Sequence, residues 1–313
     1  MHVAVSIVGF RNPDDIVGCL AALDRSTYAD FEVIICENGG AEAFEALRQV
    51  LPDQLAGGQL VRAVLAPGNL GYAGGVNVCF RETPGADAWW VLNPDTQPDP
   101  AAMELLVARL SVGDCEAVGS TIYLPDERVQ SHGGCWRPWL ARAESIGHGS
   151  LLSVRPDPAV IEREQNYLNG ASMMIGRRFL DVVGPMREEY FLYCEEVEWC
   201  LRGVQLGMRL GFAPGAFVLH HVGTTTGSYA DIRKRPKTPI YLNERNKMLT
   251  TRDVFPGLLP VAALGSFALI FLRFGRRGAW RQVGYAVDGW LAGLANQRGV
   301  PVWMANAKVG KPS

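Results

Sequence analysis

Carboxylates stand at two places where an apolar stretch of this sequence gives way to polar residues. Asp95 follows one apolar run, and a second run, rich in aromatic residues, is followed by Glu195, Glu196 and Glu198. A carboxylate at the end of a strand can hold a hard divalent cation that bridges two phosphates. Carboxylates clustered against a partly desolvated aromatic wall have raised pKa values, which suits one of them to act as a general base. The alternatives are that Asp95 caps a turn after Pro94 and that the glutamates only stabilise the start of a helix.

A histidine and a glycine-rich loop add to these candidates. His220 ends a strand-like run, where a neutral imidazole could complete a metal shell with Asp95, although a single histidine is more often structural. Residues 68–77 lead into a helix, and the backbone N–H groups of such a loop favour a phosphate. The alternative for Gly71 and Gly74 is tight packing of the helix on the sheet. Neither a P-loop lysine motif nor a G-x-G-x-x-G after the first strand is present, which argues against P-loop NTPases and dinucleotide oxidoreductases.

Alternating strand-like and helix-like runs position these residues. This alternation over the first 120 residues predicts an α/β fold with a largely parallel sheet, and such sheets bind ligands beyond the carboxyl ends of their strands. The predicted strands are 3–8, 31–36, 60–65, 88–92 and 117–120, with further regular segments at 167–175, 190–193 and 217–221. Six helices are predicted. One begins at Pro13, one runs from the glycine-rich loop through about Arg81, and the others cover 41–51, 101–110, 178–183 and 195–205. The irregular segment 121–165 is long enough to indicate a functional loop.

Charge is distributed unevenly along the chain. The formal net charge is −2, but residues 1–232 carry −13 and residues 233–313 carry +11, which predicts two parts that meet different surroundings. Residues 254–272 carry no charge, and several arginines follow them, beginning with Arg273. Basic residues beside apolar ones suit a helical segment that lies on an anionic membrane surface. The alternatives are a core or dimer helix and a true membrane span.

The composition excludes several other classes of protein. With 313 residues, of which 48% are hydrophobic and 20% charged, the chain can bury a sizeable core. Its seven cysteines include no Cys-x-x-Cys pair, which indicates reduced thiols in a cytosolic protein rather than a disulfide scaffold or a zinc site. No basic leader precedes the first strand, so a secretory signal is not expected. A nucleic-acid partner is not expected either.

Seven short motifs occur in an order that identifies a family. They are VSIV at 5–8, VIICENGG at 33–40, NLGYAGGVN at 69–77, LNPDT at 92–96, NGA at 169–171, FLYCEEVE at 191–198 and LHH at 219–221. Together these motifs resemble the family 2 glycosyltransferases, and the nearest branch is similar to the bacterial rhamnosyltransferase-like enzymes of polysaccharide and cell-wall assembly. The resemblance covers roughly residues 3–225.

This resemblance implies a GT-A fold, a nucleotide-diphosphate sugar as donor, a divalent metal (Mg²⁺ or Mn²⁺) and inversion at the anomeric carbon. By position, Asp95 matches the last acid of the family's metal-binding D-x-D motif, and His220 matches a histidine that helps to hold metal or diphosphate. Glu196 matches the catalytic aspartate. The residues expected to bind the nucleotide are Arg11, Glu37, Asn69, Gly71, Gly74, Asn77 and Asn93.

The sequence departs from the family pattern at three of these positions. Asn93 replaces the first acid of D-x-D, and Glu37 and Glu196 each replace an aspartate. Because a side chain longer by one methylene must retract to reach the same hydroxyl, Glu198 remains a rival for the base, with Glu195 beside it. These substitutions also motivate an alternative function, a catalytically idle sensor or scaffold that binds nucleotide sugars.

The resemblance also implies partners and a location. The expected donor is a dTDP- or UDP-sugar, with L-rhamnose as the suggested sugar, and the expected acceptor is a glycan or a polyprenyl-diphosphate-linked sugar. The predicted division is a GT-A catalytic domain over residues 1–232 and a helical, membrane-associating segment over residues 233–313. Such an enzyme would be cytoplasmic and peripheral at the inner face of the cytoplasmic membrane.

Overall fold

A computed structural model describes residues 1–221 and 231–307 of the chain. The last residues of the family resemblance, 222–225, therefore lie outside the described part. The strands are β1 (Val3–Gly9), β2 (Phe31–Glu37), β3 (Val61–Leu65), β4 (Ala88–Leu92), β5 (Thr96–Pro98), β6 (Ala117–Tyr123), β7 (Val129–Ser131), β8 (Gly134–Arg137), β9 (Arg142–Ser145), β10 (Ser172–Gly176) and β11 (Leu210–His220). The helices are α1 (Pro13–Leu23), α2 (Ala41–Arg48), α3 (Gly71–Glu82), α4 (Ala102–Ser111), α5 (Pro158–Glu164), α6 (Arg177–Val183), α7 (Glu195–Gln205), α8 (Lys237–Val254), α9 (Leu259–Arg273), α10 (Trp280–Leu294) and α11 (Val302–Ala307).

One mixed sheet forms the centre of the molecule. Within the described residues it has nine strands in the order β3-β2-β1-β4-β10-β6-β11-β5, with β7 paired to β6. Its first four strands are parallel, as the alternation of strands and helices predicts. β10 is antiparallel to both β4 and β6, because the chain reaches it after the long excursion over residues 121–165 rather than through a single crossover helix. The predicted α/β class is confirmed, and the sheet is parallel in its first half and mixed in its second.

Local sequence signals explain where several helices begin and end. α1 begins at Pro13, whose missing N–H and fixed φ suit a first helical position, and two aspartates in its first turn favour the helix dipole. α2 ends at Arg48, before the predicted end at residue 51, because the residue before Pro52 is disfavoured in a helix. α7 covers the predicted segment 195–205 in full.

The charge-free run 254–272 forms a short 3-10 turn at Pro256–Leu258 followed by α9. The helical stretch Pro256–Arg277 is long and apolar enough to cross a membrane. Its most apolar 18 residues have a mean hydropathy of 1.9, and 22% of them are buried. Its exposed side chains include Val261, Leu264 and Leu272.

The C-terminal helices share the hydrophobic core of the sheet. Met248 and Leu249 of α8 and Ala262 of α9 belong to the same buried cluster as Trp199 of α7 and Trp89 of β4. A second buried cluster fills the opposite face of the sheet against α1 and α4. Residues on both sides of the predicted domain boundary at 232 therefore pack into one core.

Candidate active site

The carboxyl ends of three parallel strands bring several candidates to one edge of the sheet. β1 ends at Gly9, just before Arg11, β2 ends at Glu37, and β4 ends shortly before Asn93. Because β1 pairs in parallel with both β2 and β4, these ends lie side by side. Ligands of open α/β sheets bind at such an edge.

Glu37 joins the loops that follow β1 and β2. Its Oε1 accepts the backbone N–H of Arg11 at 3.1 Å and that of Gly39 at 2.6 Å. The Nε of Arg11 donates in turn to the Gly39 carbonyl at 3.1 Å. The other carboxylate oxygen, Oε2, is buried and has no partner among the described residues. A buried acceptor without a partner is costly, so Oε2 remains available to a donor group of a ligand.

The glycine-rich loop is fixed against the segment that carries the acid cluster. Gly71 has φ +73°, and a Cβ at this position would lie 2.0 Å from the Phe191 carbonyl oxygen. The next residue, Tyr72, donates its backbone N–H to that same carbonyl at 2.7 Å. Asn69 closes the loop by accepting the N–H of Gly71 at 3.0 Å. Only glycine fits at position 71, so both the contact with Phe191 and the loop conformation depend on it.

Two of the predicted nucleotide-binding residues have mainly structural neighbours. Asn77 donates to the Met186 carbonyl at 2.9 Å and to Glu188 at 3.0 Å, and it accepts the Met186 N–H at 3.1 Å. These bonds use both donors of the Asn77 amide and its oxygen. A Cβ on Gly74 would lie 2.6 Å from the Cβ of Leu70, which directly precedes α3, so the close contact of Gly74 is with the start of its own helix.

Asp95 and His220, the predicted metal ligands, are adjacent. Asp95 Oδ1 lies 3.2 Å from His220 Nε2, because β5 pairs with β11 so that His220 faces Thr96 across the two strands. The other ring nitrogen of His220, Nδ1, lies 2.8 Å from the side-chain oxygen of Gln130. Gln130 therefore holds the imidazole ring with Nε2 directed toward Asp95.

The donor set fits a divalent ion that is shared with a diphosphate. Adjacent ligands of an octahedral ion with bonds of about 2.1 Å stand about 3 Å apart, which matches the 3.2 Å between Asp95 Oδ1 and His220 Nε2. Among the described residues no group of three or more His, Cys, Asp or Glu side chains could hold a metal ion. Magnesium-type sites with one or two protein ligands are completed by substrate phosphates and water.

The acid cluster follows a turn with unusual backbone geometry. Phe191, Tyr193 and Cys194 have φ of +67°, +74° and +64°, a region that costs free energy for residues with a Cβ. Asn246 of α8 holds this turn, because its amide nitrogen lies 2.9, 2.8 and 2.7 Å from the carbonyl oxygens of Tyr190, Leu192 and Tyr193, which share its two N–H groups. The turn, predicted as a regular segment at 190–193, is in fact shaped by a helix from the basic C-terminal part.

Arg245, the residue before Asn246, reinforces this contact. Its guanidinium is buried and donates to the Tyr190 carbonyl at 2.9 Å and to the Gly299 carbonyl at 2.6 Å. Burial lowers the pKa of Arg245 to about 10. The arginine therefore acts as a buried donor to backbone carbonyls.

Glu195 and Glu196 begin α7 side by side in different surroundings. Glu195 is buried and its Oε2 has no partner among the described residues, whereas Glu196 is half-buried. Burial raises the pKa of Glu195 well above its usual value, and the charge of Glu196 raises it further. Burial also raises the pKa of Glu196, while backbone amides at the start of α7 partly offset the effect.

Glu198 points to a different set of neighbours. It is buried, and its Oε1 lies 2.9 Å from Arg202 Nε and 3.4 Å from Arg187 Nε. Burial raises the pKa of Glu198, and the hydrogen bond from Arg202 partly offsets this. Because residues two apart on a helix are about 200° apart around its axis, Glu196 and Glu198 lie on different faces of α7.

The turn at residues 169–171 links the metal-ligand candidates to the acid cluster. Asn93 donates its backbone N–H to the Ala171 carbonyl at 3.0 Å. A Cβ on Gly170 would lie 3.3 Å from Cγ of Glu196. This turn therefore has the strand end that leads to Asp95 on one side and Glu196 on the other.

The hydroxyl of Tyr72 bonds to the same 169–171 turn. It donates to the Gly170 carbonyl at 2.6 Å. Burial raises the pKa of Tyr72 well above its usual value, and the nearby carboxylates of Glu195, Glu196 and Asp95 raise it further. All three acids thus lie within electrostatic reach of one hydroxyl.

Sequence reasoning missed several residues of this site. Gln130 lies in the segment interpreted only as an irregular loop, and no local pattern pairs it with His220. Asn246 and Arg245 lie on α8, a helix that the sequence pattern did not predict. Tyr72 lies inside the NLGYAGGVN motif, but its contact with the 169–171 turn depends on the tertiary fold.

Comparisons with known proteins identify the family of this chain. Residues 5–171 match the profile of Glycosyl transferase family 2. The N-acetylglucosaminyl-diphospho-decaprenol L-rhamnosyltransferase of Mycobacterium tuberculosis is 27% identical over 237 residues, covering 66% of this chain and 72% of that protein. The low-salt glycan biosynthesis hexosyltransferase Agl10 of Haloferax volcanii is 22% identical over 261 residues, covering 81% of this chain and 76% of that protein.

Solved structures show the same fold. The chain is similar to GalNAc-T7, solved with UDP, GalNAc and Mn²⁺, with a TM-score of 0.60, 14% identity and 83% of this chain covered, although it spans only 53% of that chain. It is also similar to the mannosyltransferase PcManGT from Pyrobaculum calidifontis, in complex with GDP-Man and Mn²⁺, with a TM-score of 0.56, 14% identity and coverage of 95% of this chain and 88% of that chain. At these identities the likeness concerns the fold, and it confirms the GT-A class. Since the family profile covers more than half of the chain, the protein belongs to glycosyl transferase family 2 and is a glycosyltransferase.

Proposed function

We propose that this protein is an inverting, metal-dependent glycosyltransferase that moves a sugar, with L-rhamnose as the first candidate, from a nucleotide-diphosphate donor to a lipid-linked glycan acceptor. The observation that carries the proposal is the 169–171 turn, which contacts Asn93 at the strand end before Asp95, Glu196 at the start of α7, and the Tyr72 hydroxyl. An inverting transfer needs a charge-stabilised diphosphate on one side of the sugar and a base for the incoming hydroxyl on the other. In this proposal Asp95 serves the diphosphate and the neighbouring acid cluster provides the base.

Glu196 is the proposed base. It is half-buried and therefore reachable, and its raised pKa brings proton transfer closer to neutral pH. The neighbouring Glu195 is buried and its Oε2 has no partner among the described residues, so it is less accessible to an acceptor hydroxyl than Glu196. Glu198 is held by Arg187 and Arg202, so we assign it a structural role.

Asp95 and His220 are the proposed protein ligands of the metal. A bound Mg²⁺ or Mn²⁺ would supply positive charge that stabilises the leaving diphosphate. Gln130 holds the imidazole of His220 in place through Nδ1. Asn93, which replaces an acid in the family pattern, donates its backbone N–H to Ala171 and so positions the strand end before Asp95.

The donor nucleotide would bind beside Glu37 and Arg11. The unpartnered Oε2 of Glu37 suits a hydrogen-bond donor on a base or a ribose, and Arg11 carries a positive charge at the same edge. The two similar solved structures contain UDP and GDP-Man, and the mycobacterial relative is named as an N-acetylglucosaminyl-diphospho-decaprenol L-rhamnosyltransferase. We therefore propose a dTDP- or UDP-sugar as donor and a polyprenyl-diphosphate-linked sugar as acceptor.

Peripheral binding to the inner face of the cytoplasmic membrane would follow from such an acceptor. Leu264 and Val261 of α9 are exposed over 75% and 50% of their surface, and the basic segment from Arg273 adjoins them. Exposed apolar side chains beside arginines suit the surface of an anionic bilayer. Residues 233–313 would then act as the membrane-associating part of the enzyme.

A donor screen tests the proposed function. The protein would be incubated with dTDP-rhamnose and a set of UDP-hexoses, with and without Mn²⁺, in the presence of N-acetylglucosaminyl diphosphate on a polyprenyl chain, and products followed by mass spectrometry. Metal-dependent transfer of one sugar with inverted anomeric configuration is expected. Tight binding of nucleotide sugars without any turnover would instead indicate the idle sensor or scaffold.

A further inference from the structure

A cavity of about 570 Å³ lies between the turn that joins β8 to β9 and the helices α8 and α9. It is separate from the sheet edge where the nucleotide is proposed to bind. Its volume falls in the range of small-molecule sites. Ala143 lies on one wall, and Ser266 and Leu269 lie on the other.

The cavity is strongly basic. Arg142, Lys247, Arg273 and Arg277 line it, and Glu244 is the only carboxylate among the described lining residues. Glu244 Oε1 lies 2.7 Å from Lys247 Nζ and 3.8 Å from Arg273 Nη1. Its single negative charge therefore offsets one of the four positive charges of the cavity. The remaining positive charge favours an anion with more than one negative charge.

The cations are close enough to affect one another. Burial lowers the pKa of Arg273, and the charges of Arg235, Arg277 and Arg142 lower it further, while Glu244 opposes the shift. Clustered like charges of this kind destabilise the free protein. A polyanion bound among them would relieve the repulsion.

The cavity reaches the segment that carries the proposed base. Cys194, the residue directly before Glu195 and Glu196, lies on its wall. The charge of Lys247 acts on the Cys194 thiol, where burial raises the pKa and Lys247 lowers it. A ligand whose diphosphate lay among the cations could therefore place an attached sugar next to Glu196.

The opposite side of the cavity adjoins the exposed apolar face of α9. Leu272 lines the cavity and is exposed over 53% of its surface, and Leu264 and Phe271 on the same helix are exposed over 75% and 39%. Trp139 is exposed over 59%, and its carbonyl oxygen would lie 3.0 Å from a Cβ on Gly265 of α9. The basic cavity and the adjoining apolar surface are thus complementary to a lipid with an anionic headgroup.

We propose that this cavity binds the diphosphate of the lipid-linked acceptor, with Arg142, Lys247, Arg273 and Arg277 around the phosphates and the lipid chain along α9. This assignment rests on the proposed function and deepens it, because it gives the acceptor its own site. The donor diphosphate belongs at the sheet edge with Asp95, and the acceptor diphosphate belongs in the basic cavity. Glu196 contacts the 169–171 turn beside the strand end before Asp95, and it is two residues from Cys194 on the wall of the basic cavity.

Vesicle flotation tests the assignment with the full-length chain. Phosphatidylcholine vesicles doped with polyprenyl diphosphate would be compared with phosphatidylcholine vesicles that carry phosphatidylglycerol at equal surface charge. Arg277→Gln removes a cation from the cavity, and Ala143→Trp fills it from an exposed position on β9. Arg276→Gln is the matched control, because it removes an exposed charge one residue away that does not line the cavity.

The wild-type protein is expected to prefer the polyprenyl diphosphate vesicles, and both cavity variants to bind them about tenfold more weakly, with little change for Arg276→Gln. Equal losses for Arg276→Gln and Arg277→Gln on both vesicle types would overturn the assignment in favour of a general attraction to anionic surfaces. Turnover of the soluble donor by the wild-type protein, measured in parallel, reports on the proposed function separately. Failure of that turnover would count against the glycosyl transfer and leave the vesicle result standing.

Discussion

Two glutamates on α7, separated by a single residue, are assigned different roles by their neighbours. Glu196 is half-buried beside the 169–171 turn, and Glu198 is buried between Arg187 and Arg202. A general base contributes about a hundredfold to ten-thousandfold to a rate, whereas a buried ion pair contributes to stability and its loss leaves unpaired charges. Mutation of each glutamate to glutamine should therefore affect different quantities.

Glu196→Gln is expected to lower kcat by about a hundredfold or more, because the amide cannot accept the acceptor's proton. Its melting temperature should stay close to that of the wild type. Glu198→Gln, the matched control, should leave kcat within a few-fold and lower the melting temperature instead, since Arg187 and Arg202 lose their partner. Steady-state kinetics and thermal unfolding of both variants would decide, and near-normal transfer by a folded Glu196→Gln protein would remove Glu196 from the base role.

The acidity of Glu196 predicts the pH dependence of the reaction. Burial raises its pKa above the ordinary value of 4.5, and a base works only in its ionised form. As pH falls, kcat/KM should therefore begin to drop at a higher pH than an ordinary glutamate would give. A pH–rate profile of the wild type measures this limb, and the residual activity of Glu196→Gln should lack it. A limb that persists in that variant would belong to another group.

At the scale of elements, α8 sets the position of the acids. The backbone of Phe191, Tyr193 and Cys194 lies in the left-handed region, and residues held there persist only when their surroundings fix them. Asn246 supplies this constraint through three carbonyls of the turn. The helix that follows the turn can place Glu196 correctly only while the turn keeps its shape.

Asn246→Ala is expected to destabilise the protein by about 2 kcal/mol, since buried carbonyls lose their donor, and to lower kcat by about tenfold or more through misplacement of Glu196. The affinity for the donor should change less than kcat, because Glu37 and Arg11 lie on other elements and only the glycine-rich loop contacts the turn. Thr251→Ala is a matched control, as Thr251 is buried on α8 and bonds to the Lys247 carbonyl within the helix. If both variants lost stability alike and both kept kcat, Asn246 would have only a structural role.

The sequence allowed the local elements to be predicted better than their pairing. The buried run Val3–Gly9 and the helix at 195–205 follow from apolar spacing and from residues at their ends, which are local signals. The antiparallel position of β10 between β4 and β6 depends on where a long excursion returns to the sheet. No short-range pattern carries that information.

The residues of the candidate site also fall into two groups, those that local motifs predict and those that depend on tertiary contacts. Asp95, Glu196 and His220 could be predicted because each sits in a motif at the end of a strand or the start of a helix. Gln130 and Asn246 could not, because each acts on a residue at least 50 positions away in the chain. Their roles depend on contacts that only the folded chain creates.

At the scale of the whole molecule, the basic C-terminal part is built into the catalytic part. Met248 and Ala262 share a buried cluster with Trp199, and Asp253 is hydrogen-bonded to the Tyr190 hydroxyl at 2.9 Å. Removal of residues 254–313 would expose this cluster to water, at about 25 cal/mol for each Å² of apolar surface. A truncated chain would therefore lose its fold together with any membrane contact, so membrane binding must be tested by a point substitution on the surface.

Leu264→Asp is that substitution, because Leu264 on α9 is exposed over 75% of its surface and its replacement disturbs no core contact. A leucine in the interfacial region of a bilayer gains roughly 2 kcal/mol, and an aspartate there adds repulsion from anionic lipid, so partition into phosphatidylglycerol vesicles should fall by at least about tenfold. Val112→Asp is the matched control. Val112 is exposed over 67% of its surface at the end of α4, and the substitution introduces the same charge outside the C-terminal helices. Flotation and thermal unfolding of both variants would be measured together. Equal partition of Leu264→Asp, Val112→Asp and the wild type would show that α9 does not contact the bilayer, and the site of membrane contact would have to be sought elsewhere on the molecule.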